Sequence, residues 1–321
     1  MARRRGRPVH GWLVIDKPVG MTSTQVVGRA RRLLDSAKAG HGGTLDPNAT
    51  GVLPIAFGEA TKTVAYAMQG RKTYRFTVRW GEARETDDVE GAVSGTSPVR
   101  PDRAAIEAVL PRFTGVIQQV PPVYSAIKVD GNRSYDLARA GEAVALAARP
   151  VRIDSLELLE QPDADHAVFE AECGKGAYIR ALARDMAQAL GTLGHLTAIR
   201  RLSVGPFGID DSITLDHLAA LAEKTAAESA LLPVETPLDD IPAVALTEAE
   251  AQRMRNGNHV ALLRRSDRDR LARLAEDAEA GRGGSDDAIV LAVVPTPDGD
   301  RPVALARLDG AELHPVRILN L

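Results

Sequence analysis

Gly40-His41-Gly42-Gly43-Thr44-Leu45-Asp46-Pro47-Asn48-Ala49-Thr50-Gly51-Val52-Leu53-Pro54 holds four glycines and two prolines in fifteen residues. In a helix interior, glycine costs about 1 kcal/mol and proline about 3 kcal/mol relative to alanine. We therefore predict a shaped loop over the whole segment, with glycines where the backbone needs positive φ or close approach. One carboxylate, Asp46, lies at the centre, and Pro47 biases it toward an extended conformation. Small residues around a single acid leave room for a flat group to approach it.

Three interpretations compete for this segment. It could be a structural turn with a capping aspartate, or a phosphate-binding loop, although Gly58–Lys62 lacks the spacing that a P-loop needs. The third interpretation, which we favour, is a family resemblance. The segment closely resembles the signature G-H-G-G-T-L-D-P-x-A-T-G-V-L-P of the TruB family of tRNA pseudouridine synthases. This resemblance implies an isomerase that converts uridine 55 in the T-loop of tRNA to pseudouridine, with Asp46 as the catalytic residue.

Other segments, in the same order along the chain, extend the resemblance. Residues 16–23 (DKPVGMTS) resemble the family's first motif, K-P-x-G-x-[ST]-S, and residues 121–128 (PPVYSAIK) resemble its Q-x-P-P-x-Y-S-A-x-K string. In the family the latter opens a mobile segment that closes over the RNA, here about residues 122–150. Residues 81–91 resemble an acidic family loop imperfectly, and we interpret them as a solvated turn rather than a metal site.

The charge of the chain is unevenly distributed. Residues 1–80 carry 14 Lys and Arg against 4 Asp and Glu, a net charge of +10, whereas the remainder carries 26 against 39, a net charge of −13. A basic region that contains the Asp46 loop suits a polyanionic substrate, although a solvated basic face would have the same composition. The single cysteine, Cys173, excludes an internal disulfide and fits a reducing cytoplasm. No apolar run approaches the ~20 residues of a membrane span, and the basic N-terminus lacks the apolar core of a secretory signal.

Hydrophobic periodicity and breaker residues predict a chain that alternates strands and helices. Strands are predicted at 11–18, 72–80, 151–159, 168–173, 193–205, 289–294 and 303–308, and helices at 22–34, 64–68, 102–113, 179–190 and 244–256. The expected class is α/β (α+β), with a mixed, mainly antiparallel sheet flanked by helices. We expect a catalytic domain over 1–235, a proline-rich linker, and a small β-rich domain over 240–321 that resembles the PUA-type RNA-binding module. Residues 265–287 are charged and rich in Gly, and we expect a disordered insertion there.

The resemblance also implies roles for single residues. Asp46, Tyr74 and Arg180 form the catalytic set: Arg180 pairs with Asp46, and Tyr74 stacks on the flipped uracil and assists proton transfer. Tyr178 packs against the same nucleotide, and His41 fills the space that the nucleotide leaves in the RNA loop. Ile199 lines the pocket, and Lys17 of the first motif is grouped with the substrate-binding residues. Taken singly, a tyrosine in a strand is more often a core residue and a lone histidine is usually structural. The joint occurrence at family spacing is what favours the site.

The reaction implied by the resemblance is redox-neutral, so we expect no cofactor and no metal. We expect the T-arm of tRNA as the partner, a monomer, and no obligatory protein partner. Three rival interpretations remain: an RNA-binding folding helper without turnover, the related guide-RNA enzyme of archaea and eukaryotes, and an unrelated α/β enzyme. The chemical path of Asp46 also stays open among attack on the sugar, attack on the base and elimination through a glycal.

Overall fold

A computed structural model of the protein describes residues 6–125, 127–129, 132–135, 145–262 and 289–321. The helices of this part are α1 (Ser23–Leu33), α2 (Val64–Gln69), α3 (Arg103–Val109), α4 (Ile179–Ala189), α5 (Leu215–Glu223) and α6 (Glu248–Arg255). Short 3₁₀ turns cover Gly58–Lys62, Leu110–Phe113, Ala227–Ala230 and Thr236–Leu238. Within these residues, no helix is long and apolar enough to cross a membrane.

A mixed sheet of nine strands forms the larger part of the described chain. Its strands are β1 (Gly11–Lys17), β2 (Ala39–His41), β3 (Thr50–Phe57), β4 (Lys72–Trp80), β7 (Gly115–Gln119), β10 (Arg149–Glu160), β11 (His166–Cys173), β12 (Gly194–Val204) and β13 (Phe207–Gly208). Two small hairpins lie outside this sheet: β5 (Glu82–Arg84) with β6 (Val93–Thr96), and β8 (Lys128–Val129) with β9 (Asn132–Arg133). The order is β1-β3-β12-β4-β11-β10-β7, with β2 beside β3 and β13 beside β12. All pairings are antiparallel except β3 with β12, so β3 and β12 lie side by side at the centre.

A second sheet of five strands lies near the C-terminus. Its strands are β14 (Ala243–Ala245), β15 (Val260–Ala261), β16 (Ile289–Thr296), β17 (Gly299–Asp309) and β18 (Glu312–Ile318), in the order β14-β16-β17-β18-β15. β14 runs parallel to β16 and the other pairs are antiparallel. Helix α6 packs on one face through Ala251 and Met254.

Strand β1 separates two apolar cores, which explains its continuous hydrophobic sequence. Successive side chains of a strand point to opposite faces. Leu13 and Ile15 therefore join the core beneath α1 and α4, whereas Trp12 and Val14 belong to a second cluster that also contains Leu305 of the second sheet. All four of these β1 side chains are buried.

The predicted fold class is confirmed: a mixed, mainly antiparallel sheet is flanked by helices and followed by a separate β-rich unit. The extent of the glycine-rich loop was wrong, because β2 and β3 take up its two ends and only residues 42–49 form the loop. On one side of β3, the partner strand is β12 at Thr50 and Gly51 and β2 from Ile55 onward. Pro54 lies between these two partners, so proline is tolerated at this position inside β3.

The start of the helix predicted over 244–256 was also wrong. Residues 243–245 form β14, and the helix begins only after Thr247, whose side chain and Glu250 form a capping box. The sequence analysis did not predict β18. The proposed disordered insertion at 265–287 lies outside the described residues, as do residues 126, 130–131 and 136–144 of the segment expected to be mobile.

Candidate active site

The loop that carries Asp46 is anchored on its C-terminal side by Lys17. The Lys17 ammonium donates hydrogen bonds to the carbonyl oxygens of Pro18 (2.9 Å), Pro47 (3.0 Å) and Ala49 (2.6 Å). The side chain is fully buried. Burial lowers the pKa of Lys17 to about 8, opposed by the negative charge of Asp46 and reinforced by the positive charge of Arg201. In the free protein Lys17 therefore contacts the loop backbone, and this position differs from the substrate-binding one expected for it.

Arg201 of β12 anchors the other side of the same loop. Its guanidinium donates to the carbonyl oxygens of Gly43 (3.1 Å), Thr44 (3.4 Å) and Val52 (2.8 Å). The side chain is buried, so a second positive charge lies beneath the loop. The sequence analysis predicted a strand over 193–205 but assigned Arg201 no role and missed this contact.

Gly51 allows β3 and β12 to approach each other at this point. Its φ is +97°, and an added Cβ would lie 2.1 Å from the carbonyl oxygen of Arg201. Glycine is therefore required here for the loop and the Arg201 backbone to meet.

The residue before Asp46 is fixed by Ser23 at the first turn of α1. The buried Ser23 hydroxyl accepts a hydrogen bond from the Leu45 amide (2.8 Å) and donates one to the Leu45 carbonyl (2.9 Å). Asp46 is thus presented between anchored neighbours, while its own side chain remains 46% exposed. A carboxylate held in this way is preorganised and still open to a ligand.

Arg180 connects Asp46 to two other segments. Its Nη2 lies 3.0 Å from Asp46 Oδ2 and also donates to the Tyr124 carbonyl at 3.0 Å, and its Nη1 donates to the Thr86 carbonyl at 3.0 Å. Asp88 Oδ2 lies 3.7 Å from Nε. The guanidinium is only 8% exposed, so the structure brings the predicted pair together at the start of α4.

The acidic loop between β5 and β6 is not the solvated turn that we expected. Asp88 is buried, accepts from the Thr86 hydroxyl at 2.5 Å and faces Arg180. Asp87 forms an ion pair with Arg184 at 3.0 Å, and burial raises the pKa of its carboxyl. The two arginines, one turn apart on α4, hold this loop against the site. The spacing of Arg180 and Arg184 was the signal that could have indicated it.

Tyr74 lies on β4 between Ala171 of β11 and Arg201 of β12. Its ring is buried, and its hydroxyl lies within the electrostatic influence of Arg201. Burial raises the pKa of the hydroxyl, opposed by the positive charge of Arg201. The ring is therefore part of the core, and its strand neighbour Arg201 is the residue that anchors the Asp46 loop.

Tyr178 immediately precedes α4 and is held by β7 and β10. The buried Gln119 side chain accepts a hydrogen bond from the Tyr178 amide (2.8 Å) and donates to its carbonyl (3.1 Å). The guanidinium of Arg149 lies 5.3 Å from the centroid of the Tyr178 ring. These contacts fix the backbone of Tyr178, which lies two residues before Arg180 in the sequence.

His41 and Ile199 lie around the loop without a recorded contact to Asp46. His41 is at the end of β2, and burial, together with the charge of Arg201, lowers its pKa. Within the described residues, the buried His41 Nδ1 has no hydrogen-bond partner. Ile199 is opposite Phe76 in the sheet, and its carbonyl accepts from Thr50 at 3.5 Å, just after the loop.

The arrangement offers one exposed carboxylate, one buried guanidinium against it, and aromatic and aliphatic side chains nearby. Such a site can stabilise positive charge developing on a sugar or supply a nucleophile. In the described part of the chain, no group of three or more His, Cys, Asp or Glu residues is placed to hold a metal ion.

The fold agrees with that of chains in solved H/ACA ribonucleoprotein structures. The chain aligns over its full length with 92% of a chain from a structure described as an H/ACA RNP bound to a substrate RNA containing 2′-deoxyuridine, with a TM-score of 0.70 and 22% identity. It aligns over 97% of its length with 86% of a chain from the archaeal box H/ACA sRNP Nop10-Cbf5 complex, with a TM-score of 0.69 and 22% identity. At this identity the agreement concerns the fold.

Sequence comparison identifies the family. Residues 31–179 match the model of the TruB family pseudouridylate synthase N-terminal domain, and residues 180–240 match that of the tRNA pseudouridylate synthase B C-terminal domain. Over 99% of its length the chain aligns with 88% of a relative from Bradyrhizobium diazoefficiens, at 55% identity. Over 99% of its length it also aligns with 99% of a relative from Rhodospirillum rubrum, at 54% identity. Both relatives are named tRNA pseudouridine synthase B. The chain belongs to the TruB family of pseudouridylate synthases, as its motifs predicted.

Proposed function

We propose that this protein is a tRNA pseudouridine synthase that isomerises uridine 55 in the T-loop of tRNA. The observation that carries the proposal is the Asp46–Arg180 pair, 3.0 Å apart. Asp46 lies on a loop that is anchored from both sides, and its side chain stays half-exposed. Family membership and the names of relatives that are 49–55% identical over nearly the whole chain support it.

Asp46 is the reacting group of this proposal. Isomerisation breaks the N1–C1′ glycosidic bond and joins C1′ to carbon 5 of the same base, while carbon 5 loses a proton and N1 gains one, so atoms and electrons balance without an external reagent. A carboxylate can act here as nucleophile or as electrostatic partner of a sugar cation. Arg180, buried and bonded to three segments, keeps the Asp46 carboxylate in one orientation. Its contact with the Tyr124 carbonyl links this orientation to the segment that follows Pro122.

The remaining site residues act on the nucleotide. The target uridine lies inside a folded loop and must be extruded, at a cost of a few kcal/mol that stacking has to offset. We assign Tyr74 to stacking on the extruded base and Tyr178 to packing against the same nucleotide. Ile199 forms part of the pocket wall, and His41 fills the space that the nucleotide leaves in the RNA. Burial lowers the pKa of His41 and so favours the neutral imidazole, as suits a group that enters an RNA stack.

The assignment of Lys17 changes from substrate contact to positioning. Its ammonium already donates to three carbonyl oxygens and is buried, so it acts through the backbone at Pro47 and Ala49. Arg201 does the same from the other side at Gly43 and Thr44.

The domain organisation and partners extend the proposal. We assign the catalytic unit to residues 1–235 and an RNA-binding, PUA-like unit to residues 240–321, which contains the five-stranded sheet. The protein acts as a monomer on the T-arm of tRNA in the cytoplasm and requires no protein partner or cofactor.

The test is direct incubation of the purified protein with unmodified tRNA. Pseudouridine is then mapped at single-nucleotide resolution. Modification at position 55, by protein alone and without added metal, is the expected result. Tight tRNA binding without any pseudouridine would favour the folding-helper alternative, and modification only with a guide RNA or added proteins would favour the guide-RNA class.

A further inference from the structure

Gln119 makes a pair of hydrogen bonds that none of the roles above uses. Its amide oxygen accepts from the Tyr178 N–H at 2.8 Å, and its amide nitrogen donates to the Tyr178 carbonyl at 3.1 Å. The oxygen and the nitrogen of the Gln119 amide therefore both bind the backbone of Tyr178, as the backbone of a neighbouring β-strand would. The Gln119 side chain is 1% exposed, so these bonds are not shared with solvent.

The bonded residue is the one from which α4 begins. Tyr178 occupies the N-cap position of α4, and no side chain of its own caps the helix. Its carbonyl also accepts the first helical hydrogen bond, from Leu182 at 3.0 Å. Because Gln119 fixes the orientation of both peptide groups around Tyr178, it fixes the direction in which the first turn of α4 leaves the sheet.

Gln119 itself is rigidly placed. It is the last residue of β7, which lies at one end of the strand order, and it is paired with Arg149 of β10. Arg149 in turn donates to the Gly176 carbonyl at 2.7 Å and lies over the Tyr178 ring. The pair Gln119 and Arg149 thus holds Tyr178 by its backbone and its ring together.

We propose that Gln119 is a positioning residue for the isomerisation, acting through Tyr178 and the first turn of α4 to place the Arg180 guanidinium against Asp46. The inference rests on the proposed function, since its main readout is pseudouridine formation. Arg180 is the second residue of α4, and its partners lie on three separate segments. A small rotation of this turn would move the guanidinium away from Asp46, and a misplacement of about 1 Å can cost ~100-fold in rate.

The test compares two substitutions at Gln119 with one at its neighbour. Gln119→Met keeps length and removes both hydrogen bonds, whereas Gln119→Glu keeps the acceptor and removes the donor. Gln118→Met is the matched control, because Gln118 is the same residue type one position earlier and is exposed. Single-turnover rates of pseudouridine formation with saturating enzyme, the Kd for tRNA and the unfolding temperature are measured for each, below the unfolding temperature of the least stable variant.

We expect both Gln119 variants to lose roughly 10- to 100-fold in single-turnover rate with the Kd for tRNA within about two-fold of wild type. Gln118→Met should match wild type in all three measurements. A lowered unfolding temperature with an unchanged rate in the folded protein would mean that Gln119 is only structural and would overturn the inference, as would a change confined to Kd. A wild-type protein that makes no pseudouridine would instead refute the proposed function itself.

Discussion

The ammonium of Lys17 lies 3.0 Å from the carbonyl oxygen of Pro47, so a buried positive charge holds the residue that follows Asp46. Two further carbonyl oxygens complete its coordination, and the pKa of Lys17 falls to about 8 because the charge is buried. The loop geometry at the reacting carboxylate therefore depends on a lysine that gives up its proton more easily than an exposed one.

This gives a prediction for stability as a function of pH. Unfolded Lys17 keeps its proton up to about pH 10.5, whereas folded Lys17 loses it near pH 8. Between these values the unfolded state binds more protons, so the Lys17 contribution to the free energy of unfolding rises with pH, by at most about 3 kcal/mol. Chemical denaturation of wild type and Lys17→Met between pH 7 and 10.5 gives the Lys17 contribution as the difference between their free energies of unfolding. The titration of other groups, such as Lys72, occurs in both proteins and cancels in this difference. A difference that stays constant with pH would contradict the assigned shift.

Asp46→Asn separates chemistry from binding. The change is nearly isosteric, and the anchors at Lys17, Arg201 and Ser23 bind the backbone, so the loop should keep its shape. We expect no detectable pseudouridine at tRNA position 55, with tRNA affinity unchanged or slightly higher because a negative charge is removed.

The stability cost of Asp46→Asn should be small. Arg180 keeps its bonds to the Thr86 and Tyr124 carbonyls and its proximity to Asp88, and the Asp46 side chain is half-exposed. We therefore expect a loss of about 1 kcal/mol or less, well below the cost of a buried charge without a partner. Asp240→Asn, at an exposed carboxylate, is the control. Wild-type turnover in Asp46→Asn would refute the assignment of Asp46, and loss of tRNA binding in the folded variant would mean that Asp46 shapes the RNA site.

Substitutions at Tyr74 distinguish stacking from hydroxyl chemistry. Tyr74→Phe keeps the ring and loses the hydroxyl, whereas Tyr74→Ala loses both. If stacking on the flipped base dominates, Tyr74→Ala should lose far more activity than Tyr74→Phe, in line with ~1–3 kcal/mol per stacked base. Rates of pseudouridine formation are compared with unfolding temperatures, because the ring is also buried. Equal losses of rate would place the hydroxyl at the centre of the reaction.

Binding of tRNA should depend on salt through the basic N-terminal quarter. In the free protein Arg29 of α1 pairs with Asp216 at 3.0 Å, whereas the side chain of exposed Arg32 makes no hydrogen bond or ion pair within the described residues. We expect Arg32→Glu to weaken tRNA binding and to reduce the slope of log K against log[salt] by about 1 if Arg32 contacts a phosphate. Arg112→Glu, at an exposed arginine outside this quarter, controls for net charge. Affinity that does not change with salt would contradict a basic RNA-binding face.

The sequence was informative where one local pattern determines one local structure. The helices predicted over 22–34 and 179–190 and the strand predicted over 72–80 each depend on neighbouring residues, and the structure has the corresponding elements. The Asp46–Arg180 contact was predicted only through family resemblance, because no periodicity links residues 134 positions apart. The resemblance could not indicate what Arg180 binds besides Asp46.

The parts that the sequence analysis missed depend on tertiary contacts. Arg201 and Lys17 look like ordinary cations in strands, and only the folded chain shows that they bind loop carbonyl groups. Pro54 argues against a strand locally, yet β3 forms because its pairing partners change at that residue. The acidic loop at 86–88 looks solvated because two of its three residues are acidic, yet Asp88 is buried and both aspartates face arginines of α4.

Strand β1 has a consequence for shortened forms of the protein. Trp12 on this strand donates from its indole to the Val234 carbonyl, and its ring packs in the same cluster as Leu291 and Leu305 of the second sheet. A nonsense mutation near codon 240 would therefore leave an apolar wall exposed beside the Asp46 loop. Such a product would be a substrate for chaperones and proteases rather than a smaller working enzyme, and a minimal catalyst built from this chain would need Trp12 and its neighbours redesigned as surface residues.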